Sequence, residues 1–240
     1  MSMVLFARRN GQEILRDGVN LAFGLGFPLG LLCMLLAIGA GAPVEVFTVG
    51  SLTPGMMVFG FSFLALFSGQ LIARDRASAF LTRLYTTPMA PKDFVLGYCL
   101  PLVPMALGQC LVVLAGALAW GLPFSGRALL LIPVSLPAAV FYIALGLLCG
   151  SLLSDRSVGG ICGALVTNAT ALLSGAWFDL ELVGRGFARA ARLLPFARAV
   201  DAGRALLAGE AFWPDLLWVI GWAAVTLGLA VAVYSRKMEA

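Results

Sequence analysis

Between two long apolar stretches, the sequence Arg74-Asp75-Arg76-Ala77-Ser78-Ala79-Phe80-Leu81-Thr82-Arg83-Leu84-Tyr85-Thr86-Thr87-Pro88 combines charge with a helical apolar repeat. Ala77, Phe80, Leu81 and Leu84 stand at i, i+3, i+4 and i+7, which gathers them on one helical face. Asp75, Arg76, Thr82 and Arg83 fall on the other sides. The chemistry available to such a segment is noncovalent. A short helix of this pattern docks its apolar stripe on a partner and surrounds it with charge.

Bond-making chemistry has few candidates. The chain contains no histidine, which removes HExxH metal sites, Ser-His and Cys-His pairs and His-ligated haem. Lys92 follows Pro91 and Lys237 follows Arg236, so no GxxxxGK[ST] phosphate loop exists. Any ATP used with this chain is therefore expected on another subunit. Cys33, Cys99, Cys110, Cys149 and Cys162 lie in or near apolar stretches as small hydrophobes. Their odd number and the lack of CxxC offer neither a disulfide framework nor a metal site. Asp179, Glu181 and Asp201 are the clustered acids, and they read as solvated loop charges.

The elements that must carry these residues are set by composition. Hydrophobic residues make up 61% of the chain and charged residues 12%, with a mean hydropathy of +0.98. That is about half the charge of an average soluble domain. The expected fold is an all-α membrane protein. Six apolar runs, near 19–39, 54–73, 94–119, 128–153, 158–176 and 215–234, are each long enough to cross hydrocarbon about 30 Å thick. The third and fourth are long and are expected to tilt or to extend past the hydrocarbon.

Lys and Arg set the orientation. Ten of the 16 basic residues (Arg8, Arg9, Arg16, Arg74, Arg76, Arg83, Lys92, Arg156, Arg236 and Lys237) fall on the side that holds both termini, which is expected to be cytoplasmic. Arg127 and five arginines between the fifth and sixth spans fall on the other. Trp120, Trp177 and Trp213 stand at the outer ends of spans, where amphipathic rings sit at headgroup level. The net charge of +4 thus reads as topology, and no nucleic-acid groove is expected. The first apolar run is as long as a full span and is expected to remain as a membrane helix, not a cleaved signal. Residues 1–18 ahead of it suit either an interfacial helix or an ordinary charged flank.

Within the spans the polar residues are few and none is ionisable. Ser62, Gln70, Thr167 and Asn168 can line a translocation path, or they can bond between packed helices, as Ser68, Gln109 and Thr170 can. GxxxG pairs occur at Gly26/Gly30, Gly146/Gly150 and Gly159/Gly163. They permit close helix approach and make Gly26, Gly30, Gly159 and Gly163 a candidate dimer face, although 28 glycines in 240 residues produce such pairs by chance. Between the last two spans, residues 177–214 alternate apolar residues with arginine. Two amphipathic helices broken at Pro195 and stopped at Gly209 are expected there, at the outer interface or dipping into the membrane. No internal repeat divides the chain, so 1–240 is read as one membrane domain.

Arg-Asp-Arg…Leu-Thr-Arg-Leu…Thr-Thr-Pro, continuing to Phe94-Val95-Leu96-Gly97, resembles the coupling-helix motif of the permease subunit of type-2 ABC transporters. Leu194-Pro-Phe-Ala-Arg-Ala-Val-Asp-Ala-Gly-Arg-Ala-Leu-Leu207 resembles that family's outer motif before the last span. The chain departs at Thr82, where the family often has an acid, and at Ala79-Phe80, where it often has Gly-Thr. The resemblance implies a cytoplasmic coupling loop at 74–92 that meets the ATPase through Arg76, Phe80, Leu81, Arg83 and Leu84, with Asp155 in the turn after the fourth span as a second contact. It implies two cytoplasmic ATP-binding subunits that hold ATP and magnesium, and a second copy of this chain or a related permease. The second and fifth spans would line the path, and the first would pack on the partner's fifth.

The combined reading is a bacterial inner-membrane permease, itself without cofactor or ATPase activity, that exports an amphipathic or lipophilic substrate such as a drug, peptide, lipid or glycolipid. The alternatives are an ion-coupled secondary transporter without an ATPase partner and an intramembrane enzyme. The first needs no cytoplasmic subunit, and the second lacks a reactive constellation.

Overall fold

A computed structural model describes residues 3–41, 47–78 and 90–239. Among these residues every regular element is helical. The helices are α1 (Met3–Arg16), α2 (Gly18–Gly41), α3 (Val49–Ala77), α4 (Pro91–Cys99), α5 (Leu102–Ala119) and α6 (Gly126–Leu152). A composite segment follows, made of α7 (Asp155–Val158), a π-helix (Gly159–Val166) and α8 (Thr167–Leu173). Then come α9 (Leu180–Val183), α10 (Arg185–Ala191), α11 (Pro195–Ala208) and α12 (Trp213–Glu239).

Among the described residues, five single helical stretches are long and apolar enough to span a bilayer: Gly18–Gly41, Val49–Ala77, Lys92–Ala119, Gly126–Leu152 and Trp213–Arg236. The third joins α4 to α5 across a bend at Pro101, whose ring cannot continue the backbone ladder. The six-span expectation is not confirmed at 158–176. There the chain is helical from 155 to 173 but widens into a π-helix, and no single helix in it reaches span length. The sequence Gly159-Gly160-Ile161-Cys162-Gly163 lowers the steric cost of the wider turn. Thr167 Oγ1 reinforces it by donating five residues back, to the Cys162 carbonyl, at 3.3 Å.

α3 is the central helix. Thr48 caps its start by accepting from Ser51 N, and most of its residues from Leu52 to Ala73 are buried. The expected span 54–73 therefore lengthens at both ends, and Arg74 to Ala77 form the last turn of α3 rather than the start of a separate helix. α3 packs most extensively on α6, and glycine makes that possible. A Cβ on Gly146 would overlap the Ala65 carbonyl oxygen and Ser68 Oγ, and one on Gly150 would overlap the Gly69 carbonyl oxygen. The third glycine, Gly69, would place a Cβ 3.0 Å from the Gly146 carbonyl oxygen. Backbones this close let Ser68 Oγ donate across to the Ile143 carbonyl at 3.0 Å. In a bilayer, where lipid competes for apolar surface, such close contact is a main source of helix adhesion. The Gly146/Gly150 pair thus works within the chain.

α2, α5 and α12 surround this pair, and the helices alternate in direction. Arg204 of α11 donates to the Ser51 and Gly175 carbonyls at 3.1 and 2.8 Å, which ties α11 to the start of α3. Tyr234 of α12 packs on Phe94 of α4 with ring centres 5.6 Å apart. The molecule consequently has two faces, one holding α1 and the end of α3, the other holding α9 to α11.

Candidate functional site

An acid in the last turn of a helix faces the negative end of the helix dipole. Asp75 occupies such a position and is also only 3% exposed. Burial of a lone carboxylate there would be costly, so its surroundings must supply charge and donors. Arg9 of α1 does so with two parallel bonds, from Nη1 to Oδ2 at 2.6 Å and from Nη2 to Oδ1 at 2.8 Å. Tyr98 of α4 adds a third, donating its hydroxyl to Oδ2 at 2.8 Å. The bidentate geometry is the strong form of an Arg–carboxylate pair.

Arg9 is held in turn by Glu13 at 3.0 Å, one helical turn on, and donates to Asn10 Oδ1 at 2.9 Å. Burial lowers the pKa of this guanidinium, but the bond and charge of Asp75 and the charge of Glu13 outweigh that and hold it above the ordinary value. Asn10 is buried and donates to the Gly97 carbonyl of α4 at 3.1 Å. Over the same glycine lies the ring of Phe6, where a Cβ would clash. Phe6 packs edge-on against Tyr98 with ring centres 4.9 Å apart. The amphipathic pattern of α1 is thereby explained: its apolar face and two polar side chains dock on α3 and α4 rather than on lipid alone.

Arg76, on the neighbouring side of α3, reaches α6. Its Nη1 donates to the Gly150 and Leu153 carbonyls at 2.7 and 3.1 Å, which satisfies acceptors that a helix end leaves open. Arg74 Nε approaches Asp155 at the start of α7 at 4.0 Å, and its Nη1 approaches Asp17 at 3.9 Å. Both pairs are half exposed and weak. The end of α3 is thus tied to α1, α4, α6 and α7. Residue 78 then leaves the helix, with an extended φ of −87° and ψ of 151°. This junction is the root of the charged segment 74–92.

Of the expected docking residues, Arg76 stays exposed while its Nη1 donates to helix carbonyls, and Asp155 is exposed beside Arg74. Phe80, Leu81, Arg83 and Leu84 lie outside the described residues. The residues expected along a path are not brought together. Ser62 is buried and donates to the Phe59 carbonyl of its own helix. Gln70 lines a polar cleft near the junction with Glu13, Asp17, Asn20 and Arg74. Thr167 serves the π-helix, while Asn168 is exposed and donates back to the Ala164 carbonyl at 2.8 Å. Gly26, Gly30 and Gly159 have open space where a Cβ would stand, and Gly163 has only ordinary contacts with Leu66. These four glycines are not used for close packing within the chain.

On the opposite face, Arg192 binds Glu181 and Asp201 at 3.3 and 3.4 Å, and Arg198 binds Asp215 at 2.5 Å. Burial pushes the Asp201 carboxyl above its ordinary pKa despite Arg192 and Arg204, and burial lowers Arg204 despite Asp201 and Asp179. Gly209 ends α11 in a left-handed conformation, φ 82°.

Reasoning from sequence misses Arg9, Asn10, Asp75 and Tyr98 as one site. The available signal was Asp75 itself, an acid between two arginines directly after an apolar span. Its partner stands 66 residues away. Tyr98→Phe, which removes one donor from the buried carboxylate and little volume, is expected to destabilise the chain by about 1.5–3 kcal/mol. Thermal unfolding in detergent measures it.

Comparison with known proteins gives a family. Residues 2–208 match the model described as ABC-2 type transporter, a match that takes in α1, the junction and α11. A search of curated proteins finds no match to the chain.

Proposed function

Because the chain belongs to the ABC-2 type transporter family, we propose that this multi-pass membrane permease is the translocating half of an ATP-driven exporter. It is a transport subunit and not itself an enzyme. ATP and magnesium are held by two copies of a separate cytoplasmic subunit. That subunit docks on the apolar stripe of Phe80, Leu81 and Leu84, flanked by Arg83 and by Asp155. The junction face is cytoplasmic, in the bacterial inner membrane.

The observation that carries this reading is the four-way attachment of the end of α3. A push delivered to 79–89 enters a helix that is buried along most of its length and locked to α1, α4 and α6. Transmission needs a rigid connection of this kind between the receiving segment and the element that moves. Arg76 braces α6 through Nη1 in this scheme, and its exposed guanidinium borders the ATPase contact made mainly by the residues beyond Ser78. A second permease packs on the free glycine faces of α2 and the π-helix, at Gly26, Gly30, Gly159 and Gly163, and Asn168 faces that partner rather than lipid. Gln70 and Thr167 line the path in the assembled complex, whereas Ser62, buried within α3's own packing, reaches it only if α3 moves. The lack of ionisable residues at mid-span favours an amphipathic or lipophilic cargo.

The test is co-purification with the ATP-binding subunit encoded nearest this chain. Phe80, Leu81 and Leu84 changed together to Asp are expected to leave insertion intact and to reduce ATPase recovery by about tenfold or more. Equal recovery with the variant would remove the docking assignment. Export driven by a sodium or proton gradient without any ATPase would replace the reading with ion-coupled transport.

A further inference from the structure

Cys149 and Cys162 show no CxxC spacing, yet the fold brings them together. Cys149 stands in the last turn of α6, and Cys162 stands in the first half of the π-helix. Their side chains interact directly, thiol to thiol. Both belong to one small cluster with Ala73 and Val158, set apart from the main core. Cys110 lies inside the main core instead, and Cys99 packs against it.

The surroundings suit a bond between the two sulfurs. Cys162 is fully buried, and its Sγ lies 3.6 Å from the position a Gly69 Cβ would take, so it sits in the glycine-lined notch where α3 meets α6. Cys149 is half-buried and precedes Gly150, whose carbonyl is held by the exposed Arg76. One thiol is therefore sheltered, and the other is open near the junction face. Drawing two thiols from contact to a disulfide of about 2.05 Å requires a small approach of the backbones or a turn of both side chains. Gly159 and Gly160 precede Cys162, and a Cβ on either would meet nothing within 4 Å, so the chain there is free to adjust.

We infer that Cys149 and Cys162 form a reversible disulfide that fixes the π-helical segment to α6. The oxidant is a low-molecular-weight disulfide of the glutathione class. Cys149, the more exposed thiol, loses its proton and attacks one sulfur of the oxidant; the oxidant's S–S bond breaks, and its other half leaves as a thiolate. The Cys162 sulfur then loses its proton, attacks the Cys149 sulfur and displaces the second half. Two protein thiols give up two electrons and two protons, and the oxidant takes them to become two thiols. A cytosolic glutathione pool keeps such pairs reduced at rest, so on a cytoplasmic junction face the bond is expected under oxidative load. It closes a loop that contains Asp155 and the turn between α6 and the π-helix. The lock depends on neither the cargo nor the ATPase.

The test exposes the full chain, purified in detergent, to oxidised glutathione and counts alkylated cysteines by intact mass after denaturation. The count is expected to fall from five to three and to return to five with dithiothreitol, and peptide mapping should join 149 to 162. Amide exchange across 159–166 should slow about tenfold in the bonded form. Cys162→Ala removes the resolving thiol and should stop the reaction at a glutathione adduct on Cys149, whereas Cys149→Ser should leave Cys162 unmodified. A count that stays at five, a bond that joins two copies of the chain, or a bonded form whose exchange is unchanged overturns the inference.

Discussion

Arg9→Ala is expected to destabilise the chain by about 3–5 kcal/mol, because it leaves the Asp75 carboxylate buried without its cation. Asp75→Ala should cost less, since the freed Arg9 side chain is 35% exposed and keeps Glu13 at 3.0 Å. The two changes share one interaction, so the double variant should be more stable than the sum of the single effects by about 1.5 kcal/mol or more. Unfolding of the four chains in detergent gives that cycle. Function separates the junction from a merely stabilising pair. Asp75→Ala is expected to retain the ATP-binding subunit, whose proposed contacts lie beyond Ser78, while ATP-driven transport falls at least about tenfold. If transport and hydrolysis decline only in proportion to folded protein, the junction supports the fold and transmits nothing.

Gly146→Leu should be more severe still. A single added carbon already overlaps the Ala65 carbonyl oxygen and Ser68 Oγ, so the side chain cannot be accommodated by a rotamer change. α3 and α6 would have to separate along the largest interface in the molecule and give up the Ser68–Ile143 bond. Overpacking against backbone is expected to exceed the usual cost of about 1–3 kcal/mol and to abolish recovery of monodisperse protein. Gly228→Leu is the matched control, on an exposed face of α12 where a Cβ meets nothing within 4 Å. Similar recovery of the two variants would mean that the α3–α6 crossing is not held by glycine contact.

The contrast between these two sites shows what the sequence discloses. Helix positions were legible because apolar run length is a local property. Five expected spans coincide with α2, α3, α4–α5, α6 and α12 and differ from them by a few residues at most of their ends. The π-helical turn inside the remaining run, 158–176, was not legible, because Gly159, Gly160 and Gly163 leave composition apolar while allowing the backbone to widen. GxxxG spacing identified Gly146 and Gly150 as small but could not say which neighbour they meet. That depends on the crossing of α3 and α6, which is a tertiary property. Arg76 reads in sequence as a surface cation on a docking helix; in the fold it is exposed and also caps α6, because α3 runs one turn further than its apolar stretch. The Arg9–Asp75–Tyr98 cluster was out of reach for the same reason, since nothing in a basic N-terminal helix indicates which buried acid it serves.

The most direct measurement is photo-cross-linking from a benzoylphenylalanine placed at Leu84, in membranes containing the chain and its proposed ATP-binding subunit. The account predicts a cross-link to that subunit, lost when Phe80 and Leu81 are changed to Asp. A chain that is active in transport yet yields no such cross-link would contradict it.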